Sequence, residues 1–234
     1  MNEIGQTSER VKTDKRTSKQ IIMQKILNWF VFSLLVASVG AAIGSELSPE
    51  LYLPLVVIEI ALLIVSILVR RSKTINKVVG YPILLAFAFV TGLTLGPTLT
   101  YYFGAGQGAA VLMTFVTASV TFTALAFIGA KTKKDLSFLS RALFAAIIIL
   151  VLFSFFGVFL PLGSMLSTII SAAGTLIFSL YILYDFNQIM KRDTSLDDVP
   201  MLALTLYLDF LNLFMFLLRL FTGRDLVEMK DLPA

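Results

Sequence analysis

The chain contains no cysteine and no histidine, and these two absences narrow the chemistry that it can perform. Without cysteine it has neither a disulfide nor a thiolate site. Without histidine it lacks the commonest metal ligand, the commonest general base and the usual switch near neutral pH. Proton chemistry in this chain must therefore use carboxylates, tyrosine or lysine.

Charged residues are also scarce, at 15% of 234 residues, whereas 57% are hydrophobic and the mean hydropathy is +0.88. Soluble domains are about 45–50% apolar, so this composition excludes an ordinary soluble fold. Apolar runs of about twenty residues recur along the chain and predict a multi-pass, all-α membrane protein. The seven predicted spans are 21–44, 51–70, 79–103, 107–130, 137–160, 164–190 and 199–221.

The basic residues are divided unevenly between the two ends of the predicted bundle. Sixteen of the 19 Lys and Arg residues fall at the end that holds the N-terminus, and only Arg219, Arg224 and Lys230 fall at the other. The positive-inside rule therefore predicts a cell-membrane protein with its N-terminus in the cytoplasm and its C-terminus outside. No nucleic-acid-binding motif is present, and the expected surroundings are the lipid bilayer. The predicted segments are a disordered cytoplasmic tail over 1–20, a transmembrane domain over 21–222 and an extracytoplasmic tail over 223–234.

Two aspartates, Asp185 and Asp209, lie inside the last two predicted spans. A carboxylate at membrane depth costs about 3 kcal/mol on insertion scales, which makes it a functional candidate by default. Each aspartate belongs to a polar stripe at helical spacing, and a stripe that faced lipid would be unstable, so both are expected to face the bundle interior. The stripes are Tyr181, Tyr184, Asp185 and Gln188 in the sixth span, and Thr205, Asp209, Asn212 and Arg219 in the seventh.

We predict that the carboxyl groups of Asp185 and Asp209 meet in the cytoplasmic half of the bundle. Two adjacent carboxyls cannot both ionise cheaply, so the pair shares a proton and titrates as a unit. Losing a proton or the pairing would open or close a pore, and Arg70 is a natural counter-ion. The structural alternative is that the two acids only hold helices together, at about 0.6 kcal/mol per interhelical bond.

The second and third spans carry further candidates. Glu59 lies at mid-depth, eleven residues before Arg70, so the two share a helix face about 16 Å apart. We interpret Glu59 as a buried carboxylate that lines a cavity. In the third span, Gly92, Gly96 and Pro97 predict a kink, and the small residues favour close helix packing over a gating hinge.

Four segments resemble a known family: GLTLGPTL (92–99), GAKTKKDLSFL (129–139), FSLYILYDFNQIM (178–190) and ALTLYLDFLNLFMFLLR (203–219). Over about 20–222 the chain resembles the transmembrane Bax inhibitor motif family, and within it the bacterial calcium-leak members. This resemblance implies a seven-transmembrane-helix bundle in which the C-terminal helix is central and two three-helix layers wrap it.

The resemblance also implies a pH-sensitive calcium leak channel that works without a cofactor. By position, Asp185 and Asp209 match the gating pair, Arg70 matches the arginine that latches onto Asp185, and Glu59 matches the pore-lining acid. Calcium prefers oxygen ligands, and three acids are too few for a tight site. They are therefore expected to bind a permeating calcium ion only transiently. The supporting polar residues are expected to be Tyr184, Gln188, Asn212 and Arg219.

Three other functions compete with the channel. Tyr184 and Asp185 fit an intramembrane aspartyl protease, but Leu206-Tyr207-Leu208 stands where that class needs a Gly-x-Gly sequence before its second aspartate, so we do not expect an enzyme. An interaction protein that modulates a partner and a proton-coupled cation transporter both remain open. Dependence on a partner and accumulation against a gradient would distinguish them from a leak. The sequence predicts no oligomeric state.

Overall fold

The computed structural model describes residues 2–159 and 163–223, with side chains over 18–72, 74–153 and 163–223. Within those ranges the fold is all-α and has no strand, which confirms the predicted fold class. Each long apolar run forms one helix, and short links separate consecutive helices. The helices are α1 (Asn2–Gly44), α2 (Tyr52–Arg70), α3 (Lys73–Gly104), α4 (Gly108–Lys131), α5 (Leu139–Phe159), α6 (Ser164–Lys191) and α7 (Val199–Thr222).

Six of the seven helices are long and apolar enough to cross a membrane, and the apolar part of α5 within the described side chains is Leu139–Phe153. The spanning part of α1 begins at Ser18, close to the predicted boundary. Its helix nevertheless continues back to Asn2, where the sequence predicts a disordered tail; that segment is rich in Lys, Arg, Glu and Gln, which favour helix. Of the predicted tail over 223–234, only Gly223 is described; the rest lies outside the described residues.

The C-terminal helix α7 is the centre of the bundle, as the resemblance implies. It packs against α1, α3, α4 and α6, and about two-thirds of its spanning segment is buried. On one side α3 lies between α1 and α2, and on the other side α6 lies between α4 and α5. These are the two three-helix layers, and they place the interior faces of α6 and α7 against each other.

Small residues bring the helices of one layer into backbone contact. A Cβ added at Gly92 in α3 would collide with the carbonyl oxygen of Ala37 in α1, and one at Gly96 would collide with that of Ala41. The interpretation of these glycines as packing residues is therefore confirmed. The helix α3 runs through Pro97 without a break.

An aromatic cluster joins the two layers around α7. The ring of Phe122 in α4 stacks on Phe30 in α1 with centroids 4.9 Å apart, and it meets Phe186 and Phe210 edge-on at 5.6 Å each. Phe186 and Phe210 directly follow the two aspartates in the sequence. Buried aromatic packing therefore fixes α6 and α7 next to both acidic positions.

Candidate functional site

Asp185 and Asp209 face each other where α6 packs on α7. Their carboxyl groups lie within hydrogen-bonding reach of each other. Asp209 is only 4% exposed, and Asp185 is half-buried. The structure thus brings together the two carboxyl groups that the polar stripes place on facing helices.

The start of α7 sets the position of Asp209. The Asp198 carboxylate accepts hydrogen bonds from the backbone N–H and the hydroxyl of Ser195, at 2.8 and 2.9 Å. This capping pair and Pro200 in the first turn fix where the helix begins. Asp209 follows Pro200 by nine residues, so it lies about 13 Å along the helix axis from that end.

Within the described side chains, one carboxyl oxygen of the pair is buried without a hydrogen-bond donor. Among the described residues, no N–H or hydroxyl donor reaches the buried Oδ2 atom of Asp209. A buried acceptor without a donor costs about 1–3 kcal/mol, and two ionised carboxylates offer each other no donor at all. One proton held between Asp185 and Asp209 would satisfy the site and reduce its charge to a single negative charge.

Arg70 lies next to this site, at the end of α2. Its Nη1 atom donates to the Thr205 hydroxyl at 3.5 Å, a long hydrogen bond. Thr205 is one helical turn before Asp209, and the positive charge of Arg70 acts on Asp185. The partner of Arg70 in this structure is therefore a hydroxyl beside the acid pair, and a direct latch onto Asp185 stays a prediction.

A second cation, Arg192, acts on Asp185, and in the sequence it is only one of the sixteen basic residues at the N-terminal end of the bundle. Its Nη2 atom donates to the Tyr184 hydroxyl at 3.4 Å. Arg192 follows Asp185 by seven residues, or two helical turns, and that spacing could have identified it. The charges of two arginines, Arg70 and Arg192, thus act on Asp185.

The predicted polar stripe of α6 divides between two surroundings. The Tyr181 hydroxyl stays near both aspartates, close enough for their charges to act on it. Tyr184 is buried beside Leu136 and Leu143, towards α5. Successive residues of an α-helix are rotated by 100° about its axis, so two residues of one polar stripe can contact different neighbouring helices.

The last member of that stripe, Gln188, belongs to a group of three side chains that hold the link between α4 and α5. We call this group the clamp; its members are Asn187, Gln188 and Lys191. The Nε2 atom of Gln188 donates to Asp135 at 3.0 Å, and Lys191 donates to the Lys133 carbonyl at 2.6 Å. Hydrogen bonds from the Gln188 amide and from Ser137 lower the pKa of the exposed Asp135 carboxyl below its usual value. Gln188 therefore holds a loop, and its side-chain amide donates to Asp135 and Asn187.

Asn187 is the centre of this clamp, and the sequence analysis missed it. The side chain is fully buried, and its Nδ2 atom donates to the carbonyls of Gly129, Thr132 and Lys134 at 3.1–3.3 Å. Its Oδ1 atom accepts from the backbone N–H of Leu136 at 3.0 Å. Two segments that carry the family resemblance, 129–139 and 178–190, thus meet through one amide, two residues after Asp185.

Glu59 forms a separate polar group deeper in the bundle. The Thr94 hydroxyl of α3 donates to its Oε2 atom at 2.9 Å, and the Thr91 hydroxyl lies nearby and donates to the Phe87 carbonyl of its own helix. The half-buried carboxylate lies close enough to Tyr207 of α7 to act on its hydroxyl. Glu59 therefore faces the junction of α2, α3 and α7, about 16 Å along α2 from Arg70.

The other two predicted polar residues of α7 do not join the aspartates. Asn212 donates to the Leu208 carbonyl of its own helix at 2.7 Å. Arg219 lies 5.6 Å from the ring centroid of Phe216, near the far end of α7, where its charge acts on Tyr52. Both residues lie further along α7 than Asp209.

The three acids proposed as calcium ligands do not form one metal centre. In the part of the chain that the structure describes, no group of three or more Asp, Glu, His or Cys residues could hold a metal ion. Calcium takes six to eight oxygen ligands, so a pair or a single carboxylate would leave most of them to water and hydroxyls. Such an arrangement can bind a passing cation only weakly.

Comparison with known proteins places the chain among membrane proteins. A family model described as "Inhibitor of apoptosis-promoting Bax1" matches residues 19–225. An uncharacterized protein of Campylobacter jejuni is 30% identical over 91% of this chain and 93% of its own length. An uncharacterized membrane protein of Streptococcus pyogenes is 36% identical over 76% of each chain. The protein LIFEGUARD 2 of Arabidopsis thaliana is 35% identical over 63% of this chain and 61% of its own length.

Proposed function

This chain belongs to the Bax inhibitor family of membrane proteins, and on that premise we propose that it is a pH-sensitive calcium leak channel. The observation that carries the proposal is the carboxyl pair of Asp185 and Asp209 at the crossing of α6 and α7. A buried, proton-sharing pair between two helices is expensive in a membrane, and pH can change its charge.

The proposed gate closes through the single negative charge of the pair. With one proton shared, Asp185 and Asp209 keep one negative charge, which attracts Arg70 and Arg192 and holds the ends of α2 and α6 against α7. A second proton, gained as pH falls, removes that charge and the attraction with it. The stabilisation of the closed state is therefore present at higher pH and lost on acidification, so calcium flux is expected to rise as pH falls.

The proposed cation path leads from the acid pair towards Glu59. Its carboxylate and the hydroxyls of Thr91 and Thr94 supply oxygen atoms inside an otherwise apolar bundle. Oxygen ligands of this number bind calcium weakly, and conduction needs a site that the ion can leave. In the proposed orientation the arginine-flanked pair faces the cytoplasm, in agreement with the positive-inside rule.

Calcium entry into liposomes that contain only the purified protein tests the proposal. External calcium is added to vesicles loaded with a calcium indicator, and pH is stepped between about 6 and about 8 so that the charge of the acid pair can change. We expect flux that stops when calcium reaches equal concentration on both sides and that increases towards low pH.

Two other results would reject this function. Calcium accumulation beyond equal concentration, driven by a proton gradient, would identify a proton-coupled transporter. No flux at any pH from folded protein would instead favour an interaction protein that acts only through a partner.

A further inference from the structure

An apolar cleft of about 650 Å³ lies between α1 and α4 and runs from the level of Phe210 towards the link between α3 and α4. Small side chains of α1, Ala37 and Ala41, leave the space, and the aromatic rings of Phe115 and Phe214 bound it on the other side. The cleft is distinct from the acid pair, because Asp185 and Asp209 do not line it.

Three hydroxyl groups in the cleft already donate within their own helices. The hydroxyls of Ser38, Ser45 and Thr100 donate to backbone carbonyls of Leu34, Ala42 and Gly96, at 2.7–3.1 Å. None of these three hydroxyl hydrogens is available to a ligand. A lining of this kind fits a hydrocarbon chain that carries no polar group.

The cleft opens sideways, at membrane depth. Its rim residues Val31, Leu35 and Leu112 are 53–62% exposed, and they belong to two spanning helices. Along α1 the lining extends from Val31 to Ser45, about 21 Å of helix. Half of a hydrocarbon core is about 15 Å thick, so a chain from one leaflet can lie along the cleft.

We propose that this cleft binds one acyl chain of a membrane phospholipid, with the headgroup outside the cleft. The open side, the hydrocarbon lining and the length parallel to the helices all match that occupant. Filling the space also recovers the dispersion contacts that an empty apolar cleft forgoes.

The bound chain would contact the side chain that separates the cleft from the polar interior. Tyr207 lines the cleft and is fully buried, and its hydroxyl points towards the group of Thr91 and Glu59. An acyl chain against this ring would hold it in place and keep water out of the apolar side. This consequence rests on the proposed function, whereas binding of the chain does not.

Photolabelling can detect the bound chain. Purified protein in phosphatidylcholine liposomes is irradiated with a phosphatidylcholine that carries a diazirine near the end of one acyl chain, and the labelled residues are mapped. Val111, Phe210 and Phe214 are only 5–6% exposed, so a chain outside the bundle cannot reach them readily. We expect label on these buried residues, and label confined to exposed residues such as Val39 would overturn the proposal.

A matched pair of variants tests whether the label depends on the cleft. Ser38→Phe places a ring in the cleft, whereas Val39→Phe places the same ring on the neighbouring residue outside it. We expect Ser38→Phe to lower the label on Phe214 several-fold and Val39→Phe to leave it unchanged, with both variants melting as cooperatively as the wild type. Equal label on Phe214 in all three proteins would reject the site.

Two further results would assign the cleft to a different occupant. Label on Phe214 from a diazirine fatty acid, but not from the phospholipid, would assign it to a free fatty acid. Crosslinks between two copies through Val31 and Leu112 would make it a subunit interface. Either result would overturn the phospholipid assignment.

Discussion

A carboxyl group between two membrane helices needs a partner for each of its oxygens, and the surroundings of Asp209 show how strict that need is. Its Oδ2 atom is buried without an N–H or hydroxyl donor among the described residues, and the carboxyl of Asp185 lies beside it. One shared proton would resolve this conflict, and the charges of two arginines act on Asp185. The contribution of each residue around the pair can therefore be tested by replacing that residue alone.

Replacing Arg70 is expected to raise calcium flux at neutral pH. Arg70→Ala removes the hydrogen bond to Thr205 and one of the two positive charges that attract the acid pair. Exposed ionic contacts contribute up to about 1 kcal/mol, so the rise is expected to reach at most about fivefold. Liposome flux measures it, with Arg71→Ala, the neighbouring exposed arginine, as the control. Equal flux in the two variants would remove Arg70 from the gate.

Replacing Glu59 is expected to lower calcium flux at every pH without changing the shape of the pH profile. Glu59→Gln keeps the hydrogen bond from Thr94 but removes the negative charge along the proposed path. Flux in the variant is compared with that in Glu46→Gln, which makes the same change at an exposed residue. A Glu59→Gln protein that conducts like the wild type would place the path elsewhere.

At the scale of helices and links, the end of α6 is fixed to the link between α4 and α5. Asn187 connects the Gly129 carbonyl of α4, together with two carbonyls and one backbone amide of that link, to the helix turn that carries Asp185. The close backbone contact of Gly129 with Leu183 brings α4 near enough for this clamp to form. The position of Asp185 thus depends on contacts outside α6.

Asn187→Leu is expected to destabilise the protein by at least about 2 kcal/mol, since each buried backbone group left without a partner costs about 1–3 kcal/mol. Thermal unfolding in detergent measures the loss. Trypsin should also cut faster after Lys133 or Lys134 in the released link. The control is Asn28→Leu, an exposed asparagine of α1. Unchanged unfolding and cleavage would show that the clamp contributes little.

Gly92→Ala is expected to destabilise the layer of α1, α2 and α3. Its new methyl group would collide with the backbone of Ala37, and overpacking of this kind costs about 1–3 kcal/mol. Gly104→Ala is the matched control, because a Cβ there meets no atom within 4 Å. The unfolding temperature of each variant in detergent decides the point, and equal values would contradict the close packing of α1 and α3.

At the scale of the whole molecule, the bundle follows from features that a sequence displays directly. Long apolar runs predict the helices, and the predicted span over 164–190 agrees with α6 at Ser164–Lys191 to within one residue. The acids at Asp185 and Asp209 were predictable as interior groups because lipid cannot solvate them. A local sequence pattern is enough to assign a residue to a helix face, and no contact between distant residues has to be known.

The rest of the site depends on contacts between residues far apart in the sequence. Asn187 pairs with backbone groups more than fifty residues away, and backbone carbonyls leave no mark on a sequence. Gln188 shares a stripe with Asp185 yet faces Asp135, because α5 and its link cover that side of α6. The cleft between α1 and α4 likewise exists only once two layers pack around α7.

The central claim is that the pair of Asp185 and Asp209 senses pH, and the most direct test is the pH profile of calcium flux in Asp185→Asn. The amide keeps the shape of the side chain and can donate to Asp209, but it cannot gain or lose the shared proton. The wild type and Glu50→Gln, an exposed control, are predicted to conduct more as pH falls, whereas the flux of Asp185→Asn is predicted to change over a different pH range, because Asp209 then titrates alone. A wild-type profile in Asp185→Asn would contradict the account.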